Sequence, residues 1–263
     1  MEQINLKYPV ILVHGIVIKD ILFIKSFNRI DKMLESKGCK VYISKIDGFG
    51  TVENNAGILK QEVLNILEKE QCEKVNIIAH SKGGLDSKYL IQHLGMEDKV
   101  ASLTTLCTPH KGSPIASNIL KSPKWILNFI AFWINFWYRI FGDKHPDALT
   151  VCKQLAESKD IEEETFEVSD KVYCQSYSSK MKKVKDDFVM GVPFVFFHYF
   201  TKDKTNDGLV SDESAAFGEY KGDAFNENVS HSQITGWFVG KKKKEKVYAL
   251  YSTICEDLAK RGF

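Results

Sequence analysis

A serine stands at the end of an apolar run in the first third of the chain. Residues 75–85 read Val-Asn-Ile-Ile-Ala-His-Ser-Lys-Gly-Gly-Leu. The first five have the length and branching of a buried strand, and residues 82–94 are typical of a helix. A serine at such a junction lies on a tight strand-to-helix turn that presents its hydroxyl as a nucleophile. The pattern predicts that Ser81 is a catalytic nucleophile, although a small-residue turn with an incidental serine would look the same.

Another apolar strand, near the start of the chain, ends in His14 and Gly15. It reads Tyr-Pro-Val-Ile-Leu-Val-His-Gly from Tyr8. A serine that attacks a carbonyl group needs backbone N–H donors, fixed in advance, to stabilise the negative oxygen that develops. In this arrangement one donor belongs to the residue after the nucleophile and the other to the loop after the first strand. The predicted oxyanion hole therefore consists of the backbone N–H groups of Ile16 and Lys82.

Five segments, in their order along the chain, resemble the α/β-hydrolase fold and, within it, the bacterial true lipases typified by the Pseudomonas, Burkholderia and Bacillus enzymes. Two are the segments that end around Gly15 and Ser81. The others are Thr-Pro-His-Lys-Gly-Ser-Pro from Thr108, Asn-Asp-Gly-Leu-Val-Ser from Asn206, and the segment around His231. Together they cover almost the whole chain. The resemblance implies a serine ester hydrolase, and the combination of segments is more specific than any one of them.

The serine needs an imidazole to take its proton and a carboxylate to orient that imidazole. In this fold the chain order is serine, then the acid, then histidine. Resemblance to the lipases places the acid at Asp207, in an Asn-Asp-Gly sequence that alone is more often only a turn; Asp212 is the alternative. His231 is the only histidine after Asp207, so the required order selects it. The predicted triad is Ser81, Asp207 and His231.

Strand-like and helix-like segments alternate along the chain. Strands are predicted near residues 8–15, 40–46, 75–79, 100–106 and 172–176, and helices over 20–37, 52–70, 82–94 and 247–258. Such alternation predicts the α/β class, with a mainly parallel sheet covered by helices on both faces. Because the His-Gly strand comes first, the leading strands of the larger α/β-hydrolase fold are expected to be absent. We expect one domain over residues 1–263.

Composition is that of a globular enzyme. Charged residues make up 27% of the chain and the net charge is +2, which gives no reason to expect a nucleic-acid partner. No basic segment followed by an apolar one opens the sequence, so we expect a cytoplasmic protein as written, or a secreted one if a signal peptide has been removed. Six cysteines show no metal-binding spacing, and several lie in apolar stretches. We expect them to be reduced, and we expect no zinc site.

The segment from Trp125 to Phe141 is far richer in aromatic residues than the 12% average of the chain. It is too short, and too often interrupted by Asn and Arg, for a transmembrane helix. It lies where the resembling lipases carry their lid, so we predict a lid insertion at about residues 113–150, with a buried core helix as the alternative. The apolar residues 192–200 are candidates for the same acyl groove, as helix or strand. The predicted substrate-binding side chains are Trp125, Phe129, Phe132, Trp133 and Phe136.

Calcium is the one cofactor that the resemblance raises. Many of these lipases hold a structural calcium ion with an acidic residue two places after the catalytic histidine, where this chain has Gln233. Asp186 and Asp187 lie about where another ligand would come from. Because calcium affinity depends on the charge of its ligands, a neutral amide weakens the site. We therefore predict no tightly bound calcium and no other cofactor.

The function predicted from these residues is hydrolysis of carboxylic esters with apolar acyl chains, with triacylglycerols as the leading substrates. The expected partner is a lipid or ester substrate, with a lipid interface as a second expectation. A short-chain carboxylesterase, a phospholipase or a thioesterase would use the same triad. A lipid- or membrane-binding protein without catalysis, on the same fold, is the alternative from another class.

Overall fold

Six parallel strands form the central sheet, in the order β2-β1-β3-β4-β5-β6. The computed structural model describes residues 3–16, 26–156, 171–200 and 205–263, the last four of the third range by their backbone alone. The strands are β1 (Val10–Val13), β2 (Val41–Ile43), β3 (Val75–His80), β4 (Val100–Leu106), β5 (Tyr173–Ser178) and β6 (Glu219–Asp223).

Helices connect the strands and cover the sheet. Within the described ranges they are α1 (Ile30–Ser36), α2 (Val52–Glu70), α3 (Lys82–His93), α4 (Pro114–Ile119), α5 (Lys124–Ile140), α6 (Ala148–Ala156), α7 (Gly191–Phe200), α8 (Asp212–Ala215) and α9 (Lys241–Lys260). Two short 3₁₀ turns, Val184–Asp186 and Gln233–Thr235, lie beside α7 and before α9. No helix in these ranges combines the length and the apolarity that a membrane crossing would require.

The sheet has an apolar core on each face, because successive strand side chains point to opposite sides. Val10 and Leu12 of β1 pack on the side of α1 and α9. Ile11 and Val13 face the opposite side, where α2 and α3 pack. Near-continuous apolar strands buried on both faces are typical of parallel sheets with helices on either side. The predicted α/β architecture is therefore confirmed.

The bounds of several elements differ from those that the sequence predicts. The last helix begins at Lys241, six residues earlier than the apolar pattern indicates, and residues 192–200 form most of a helix. Strand β6, Glu-Tyr-Lys-Gly-Asp, is not among the predicted strands because an edge strand with few apolar residues carries no burial pattern. Of the helix predicted over residues 20–37, residues 20–25 lie outside the described part, and α1 begins at Ile30.

The start of α3 packs directly on the end of β1. A methyl group built on Gly83 would lie 2.4 Å from the backbone oxygen of His14 and 2.7 Å from that of Val13. Backbone atoms of a central strand cannot move aside, so only a residue without a side chain fits at this point. A methyl group built on Gly57, in the middle of α2, meets no atom within 4 Å.

These two glycines form a matched pair for a stability measurement. We expect Gly83→Ala to lower the free energy of unfolding by roughly 1–3 kcal/mol, because the added methyl group overpacks the contact with β1. Gly57→Ala should raise it by about 0.5–1 kcal/mol, since alanine is the better helix former. Urea unfolding followed by circular dichroism measures both. Equal effects for the two substitutions would contradict the close approach of α3 to β1.

Candidate active site

Ser81 occupies a strained turn between β3 and α3. Its backbone has φ 54° and ψ −133°, in a region that residues with a side chain rarely adopt. Such a conformation costs about 1–3 kcal/mol, so the surroundings must hold it. The backbone N–H of Ser81 donates to the oxygen of Leu106 at 3.0 Å, and the hydroxyl of Thr108 donates to the Ser81 oxygen at 2.8 Å. Both partners lie at the end of the neighbouring strand β4, which therefore fixes the turn.

A continuous hydrogen-bonded chain links Ser81, His231 and Asp207. The His231 Nε2 atom lies 2.8 Å from the Ser81 Oγ atom, and its Nδ1 atom lies 2.7 Å from Asp207 Oδ2. An ionised carboxylate can only accept, so Nδ1 carries the imidazole proton and Nε2 is left to accept from the serine hydroxyl. His231 and Asp207 are both buried. The structure thus brings the three predicted residues together in the arrangement that serine activation requires.

The Asp207 carboxylate is fixed by its own turn. Its Oδ1 atom accepts from the backbone N–H groups of Leu209 and Val210 at 2.9 and 2.8 Å. Its backbone oxygen accepts from the N–H of His231 at 2.9 Å, so the two residues are joined twice. The Asn-Asp-Gly sequence therefore forms a turn and also carries the acid. Asp212, the alternative acid, begins α8 and contacts the hydroxyl of Ser178 instead.

Two further buried side chains adjoin this chain. The ring of His80 lies 4.6 Å from that of His231, and its Nε2 atom donates to the His231 backbone oxygen at 3.0 Å. Burial, and then the nearby His231, hold the pKa of His80 well below its usual 6.5, so His80 stays neutral. The Cys107 thiol lies beside Asp207, and burial raises its pKa well above 9. Sequence patterns indicate only a packing role for His80, because its contact with His231 spans 151 positions.

The loop after β1 adjoins the nucleophile turn, as predicted for the oxyanion hole. A methyl group built on Gly15 would lie 2.7 Å from Ser81 Cβ and 3.1 Å from the Lys82 backbone nitrogen. Ile16, the next residue, lines the same cavity as Ser81. The Lys82 backbone nitrogen and the loop that carries Ile16 therefore lie next to Ser81, and their pairing as an oxyanion hole stays a prediction. Residues 17–25, which continue the loop, lie outside the described part.

The side chain of Lys82 points away from the cavity into a buried ion pair. Its ammonium lies 2.7 and 3.0 Å from the two oxygens of Asp86, and both side chains are 1% exposed. The amide of Asn55 donates to the same carboxylate at 3.0 Å. Burial raises the pKa of Asp86 to about 6, although Lys82 and Asn55 oppose that rise. This ion pair anchors the residue whose backbone N–H faces the predicted oxyanion.

The chain matches one family model and is similar to proteins named triacylglycerol lipase. The family model described as palmitoyl protein thioesterase matches residues 9–239. The chain belongs to this family. Triacylglycerol lipase 2 of Saccharomyces cerevisiae is 30% identical over 272 residues, which cover 93% of this chain and 76% of the yeast protein.

Two further comparisons extend this relationship. A triacylglycerol lipase of Pseudarthrobacter phenanthrenivorans is 34% identical over 162 residues, which cover 57% of this chain and half of the bacterial protein. The crystal structure of Staphylococcus hyicus lipase superposes with a TM-score of 0.72 at 16% identity, over 99% of this chain and 98% of the other. At this identity the superposition shows the fold, which is that of the α/β-hydrolases. The predicted resemblance to lipases of that fold is confirmed.

A cavity of about 750 Å³ opens beside Ser81 and His231. Its wall is almost entirely apolar, and the described residues that line it include no lysine, arginine, aspartate or glutamate. Helices α4, α5 and α6 form one side, and the segment before α7 and the loop before α9 form the other. The apolar side chains around the opening are those of Ile119, Ile130, Val189 and Phe238, which line the cavity and are also exposed.

The five aromatic residues predicted to bind substrate lie outside this cavity. All five are exposed on α5, and Trp125 is 73% exposed. The cavity instead receives the other face of the helix, formed by Leu127, Ile130, Ala131 and Ile134. These five side chains therefore do not line the cavity beside Ser81, contrary to the prediction that they bind substrate there. Apart from one narrow polar stripe (Lys124, Asn128, Asn135 and Arg139), α5 is apolar around its circumference, so its sequence period could not tell which apolar side turns inward. The side that faces outward carries Trp125, Phe129, Phe132, Trp133 and Phe136.

Two carboxylates hold the end of α5 against the loop after β2. Asp143 accepts from the backbone N–H groups of residues 48 and 49 at 3.1 and 2.9 Å. In return Asp47 accepts from those of residues 144 and 145 at 2.9 and 2.8 Å. The side chain of Asn55 binds the Asp47 backbone and also the carboxylate of Asp86. The end of α5 is thereby connected to the ion pair behind the nucleophile turn.

Removing the Lys82 ammonium should make the stability depend more strongly on pH. We expect Lys82→Met to lower the free energy of unfolding by roughly 3–5 kcal/mol at about pH 8, because it leaves a buried carboxylate unpaired. The folded pKa of Asp86, about 6, lies above its ordinary 3.8, and loss of the ammonium raises it further. A carboxyl group whose pKa is raised by folding contributes its full stabilisation below its pKa in the unfolded chain. That contribution is lost as the pH rises through its pKa in the folded protein.

The measurement is urea unfolding of both proteins at about pH 5 and about pH 8, with the loss expected to be smaller at the lower pH. Lys99→Met makes the same substitution at an exposed position and serves as the control. An equal loss for Lys82→Met at the two pH values would show that Asp86 stays charged without its partner.

Proposed function

We propose that this chain is a serine hydrolase of lipid esters, with triacylglycerols as its leading substrates. The observation that carries the proposal is the unbroken chain from Asp207 through His231 to Ser81, opening into an apolar cavity. Relatives named triacylglycerol lipase support the substrate class. A cavity of this size, with few polar groups at one end, suits an acyl chain whose ester carbonyl lies at the serine.

The mechanism follows from the geometry. His231 removes the proton of Ser81 as its oxygen attacks the ester carbonyl, and Asp207 stabilises the imidazolium that forms. The backbone N–H groups of Ile16 and Lys82 bind the negative oxygen of the intermediate. His231 then gives the proton to the departing alcohol, and afterwards activates a water molecule that releases the acid. The neutral ring of His80 adds no second charge beside the imidazolium.

A thioesterase is the second candidate, because the matching family model is described as palmitoyl protein thioesterase. The same serine would attack a thioester, whose thiol leaves without strong need of a proton. Ester and thioester substrates with the same acyl chain separate the two candidates. A higher kcat/KM for a long-chain ester than for its thioester supports the lipase, and the reverse order supports the thioesterase.

Helix α5 is proposed to be a lid that meets a lipid interface. It carries a row of exposed large apolar side chains, and exposed cations lie at its two ends. Residues 113–142 contain no acidic residue. An aromatic face bordered by cations suits the boundary between water and lipid head groups. The cations are Lys121, Lys124, Arg139 and Lys144, and the apolar side chains are those of Trp125, Phe129, Ile130, Phe132, Trp133, Phe136, Trp137 and Ile140.

Labelling by a fluorophosphonate probe tests the nucleophile. We expect the probe to modify the protein at Ser81, with labelling lost in Ser81→Ala and turnover of a soluble ester reduced on the order of 10⁶-fold. Ser36→Ala removes an exposed hydroxyl on α1 and should leave both unchanged. Mass spectrometry locates the adduct. A wild-type protein that neither reacts nor hydrolyses any ester would favour a lipid-binding protein without catalysis.

Loss of the aromatic face should separate interfacial from soluble substrates. In the triple variant Trp125→Ser, Phe129→Ser, Phe132→Ser we expect turnover of emulsified triacylglycerol to fall at least roughly tenfold, because partitioning to lipid depends on buried apolar area. Hydrolysis of a monomeric short-chain ester should stay within about twofold, since none of the three lines the cavity. Leu64→Ser, on the outer side of α2, is the control. An equal fall on both substrates would argue against interface binding.

A further inference from the structure

The loop that carries His231 is fastened on one side by Asp187. The Oδ2 atom of Asp187 accepts from the hydroxyls of Ser230 and Ser232, each at 2.5 Å. Its Oδ1 atom accepts from the backbone N–H groups of Val189 and Met190 at 2.7 and 3.2 Å. Both oxygens of this buried carboxylate therefore accept hydrogen bonds: one from the residues on either side of His231, the other from the segment before α7.

Lys243 fastens the same loop on the other side. It lies in the first turn of α9, and its ammonium donates to the backbone oxygen of Asn228 at 2.7 Å and to Gln233 Oε1 at 2.9 Å. Gln233 uses the rest of its amide in the same way: Oε1 also accepts from the Ser230 N–H at 3.2 Å, and Nε2 donates to the Asp186 backbone oxygen at 2.8 Å. One cation thus bridges the start and the end of the segment that holds His231.

Lys243 places a positive charge at the end of α9 that is least favourable for one. The first turn of a helix is its positive end, where cations are disfavoured. Four consecutive lysines begin α9, and of these Lys241 and Lys242 are exposed, whereas Lys243 is half-buried against two oxygens. Its ammonium is therefore stabilised by the two oxygens of the His231 loop and not by the helix dipole.

These contacts do not fit the calcium ion that resemblance to the lipases raises. Calcium needs six to eight oxygen ligands that are free to face it. Here the oxygens of Asp187, the backbone oxygen of Asp186 and the Gln233 side-chain oxygen each already accept at least one hydrogen bond. The Oδ2 atom of Asp186 accepts from the backbone N–H groups of residues 182 and 183, both at 2.9 Å, which fixes this carboxylate in its own turn. The ammonium of Lys243 also brings a positive charge to the Gln233 oxygen.

We infer that Lys243 is the internal cation that positions the His231 loop in this chain, and that the loop takes no calcium. Lys243 is a positioning residue: it touches neither Ser81 nor the imidazole, and acts by holding residues 228–233 so that the His231 Nε2 atom faces the serine. Its effect on turnover rests on the proposed function, whereas its effect on stability does not.

The test is removal of the ammonium followed by its return as a small molecule. Because Lys243 is half-buried, Lys243→Ala leaves a gap that solvent can reach. We expect kcat for a monomeric ester to fall about tenfold with KM little changed, since a small displacement of the imidazole slows the chemistry. Millimolar propylammonium should restore part of kcat. Lys242→Ala removes an exposed neighbouring lysine and should show neither the loss nor the rescue.

Thermal unfolding gives a second measurement that needs no activity. We expect the Tm of Lys243→Ala to fall by about 5 °C and to recover in part with propylammonium, while Lys242→Ala stays close to the wild type. Calcium and the chelator EDTA should leave the Tm of the wild type unchanged. Wild-type stability and kcat in Lys243→Ala would overturn the role of the lysine. A wild-type Tm that rises with calcium and falls with EDTA would overturn the absence of a calcium site.

The measurements distinguish a failure of the proposed function from a failure of the role given to Lys243. If the wild type shows no turnover of any ester, the two Tm measurements still decide whether Lys243 holds the loop. Turnover in the wild type, with Tm and kcat untouched by loss of Lys243, leaves the hydrolase proposal standing and removes only this inference.

Discussion

The strained backbone of Ser81 is the constraint on which the rest of the site depends. A positive φ at a residue with a side chain is unfavourable, so it persists only where neighbouring elements fix it. Three do so here: β4 through Leu106 and Thr108, α3 through the Gly84 N–H that donates to the Ser81 oxygen at 3.0 Å, and the β1 loop through its contact at Gly15. The order of strands β1, β3 and β4 in the sheet is what brings these contacts to one point.

The same convergence explains which parts of the site the sequence could predict. Ser81 and Gly15 follow buried strands directly, and a parallel sheet places the carboxyl ends of adjacent strands side by side, so their proximity follows from local pattern plus topology. His231 followed from the required order and Asp207 from resemblance. The hydrogen bond from His80 to the His231 backbone could not be predicted, because it depends on how a distant loop packs and leaves no trace in spacing.

Three other features could not be predicted from the sequence, each for a different physical reason. The inward side of α5 was undetermined because the helix is apolar everywhere except on one narrow polar stripe, and only the position of the cavity decides which apolar side turns inward. The polar edge strand β6 has no burial pattern of its own; it forms because β5 offers it free backbone groups. The buried ion pair of Lys82 and Asp86 has the i,i+4 spacing of ordinary surface pairs, and nothing in that spacing marks it as buried.

The buried aspartates of the site differ in the donors that surround their carboxylates, and these donors decide the role of each. Asp207 has backbone N–H donors on one oxygen and an imidazole on the other, so its carboxylate is held in one orientation, facing His231. Asp187 and Asp143 accept only from neutral donors and serve to fasten loops. Asp86 alone faces an ammonium in full burial, and its pKa is the one raised to about 6. A carboxylate held by several donors keeps its position when one of them is lost, whereas the charge of Asp86 is opposed by burial and supported chiefly by one ammonium, that of Lys82. The acid of the relay is thus held by three donors in the direction of His231, whereas the acid with the raised pKa lies behind the serine turn, where no proton transfer is required of it.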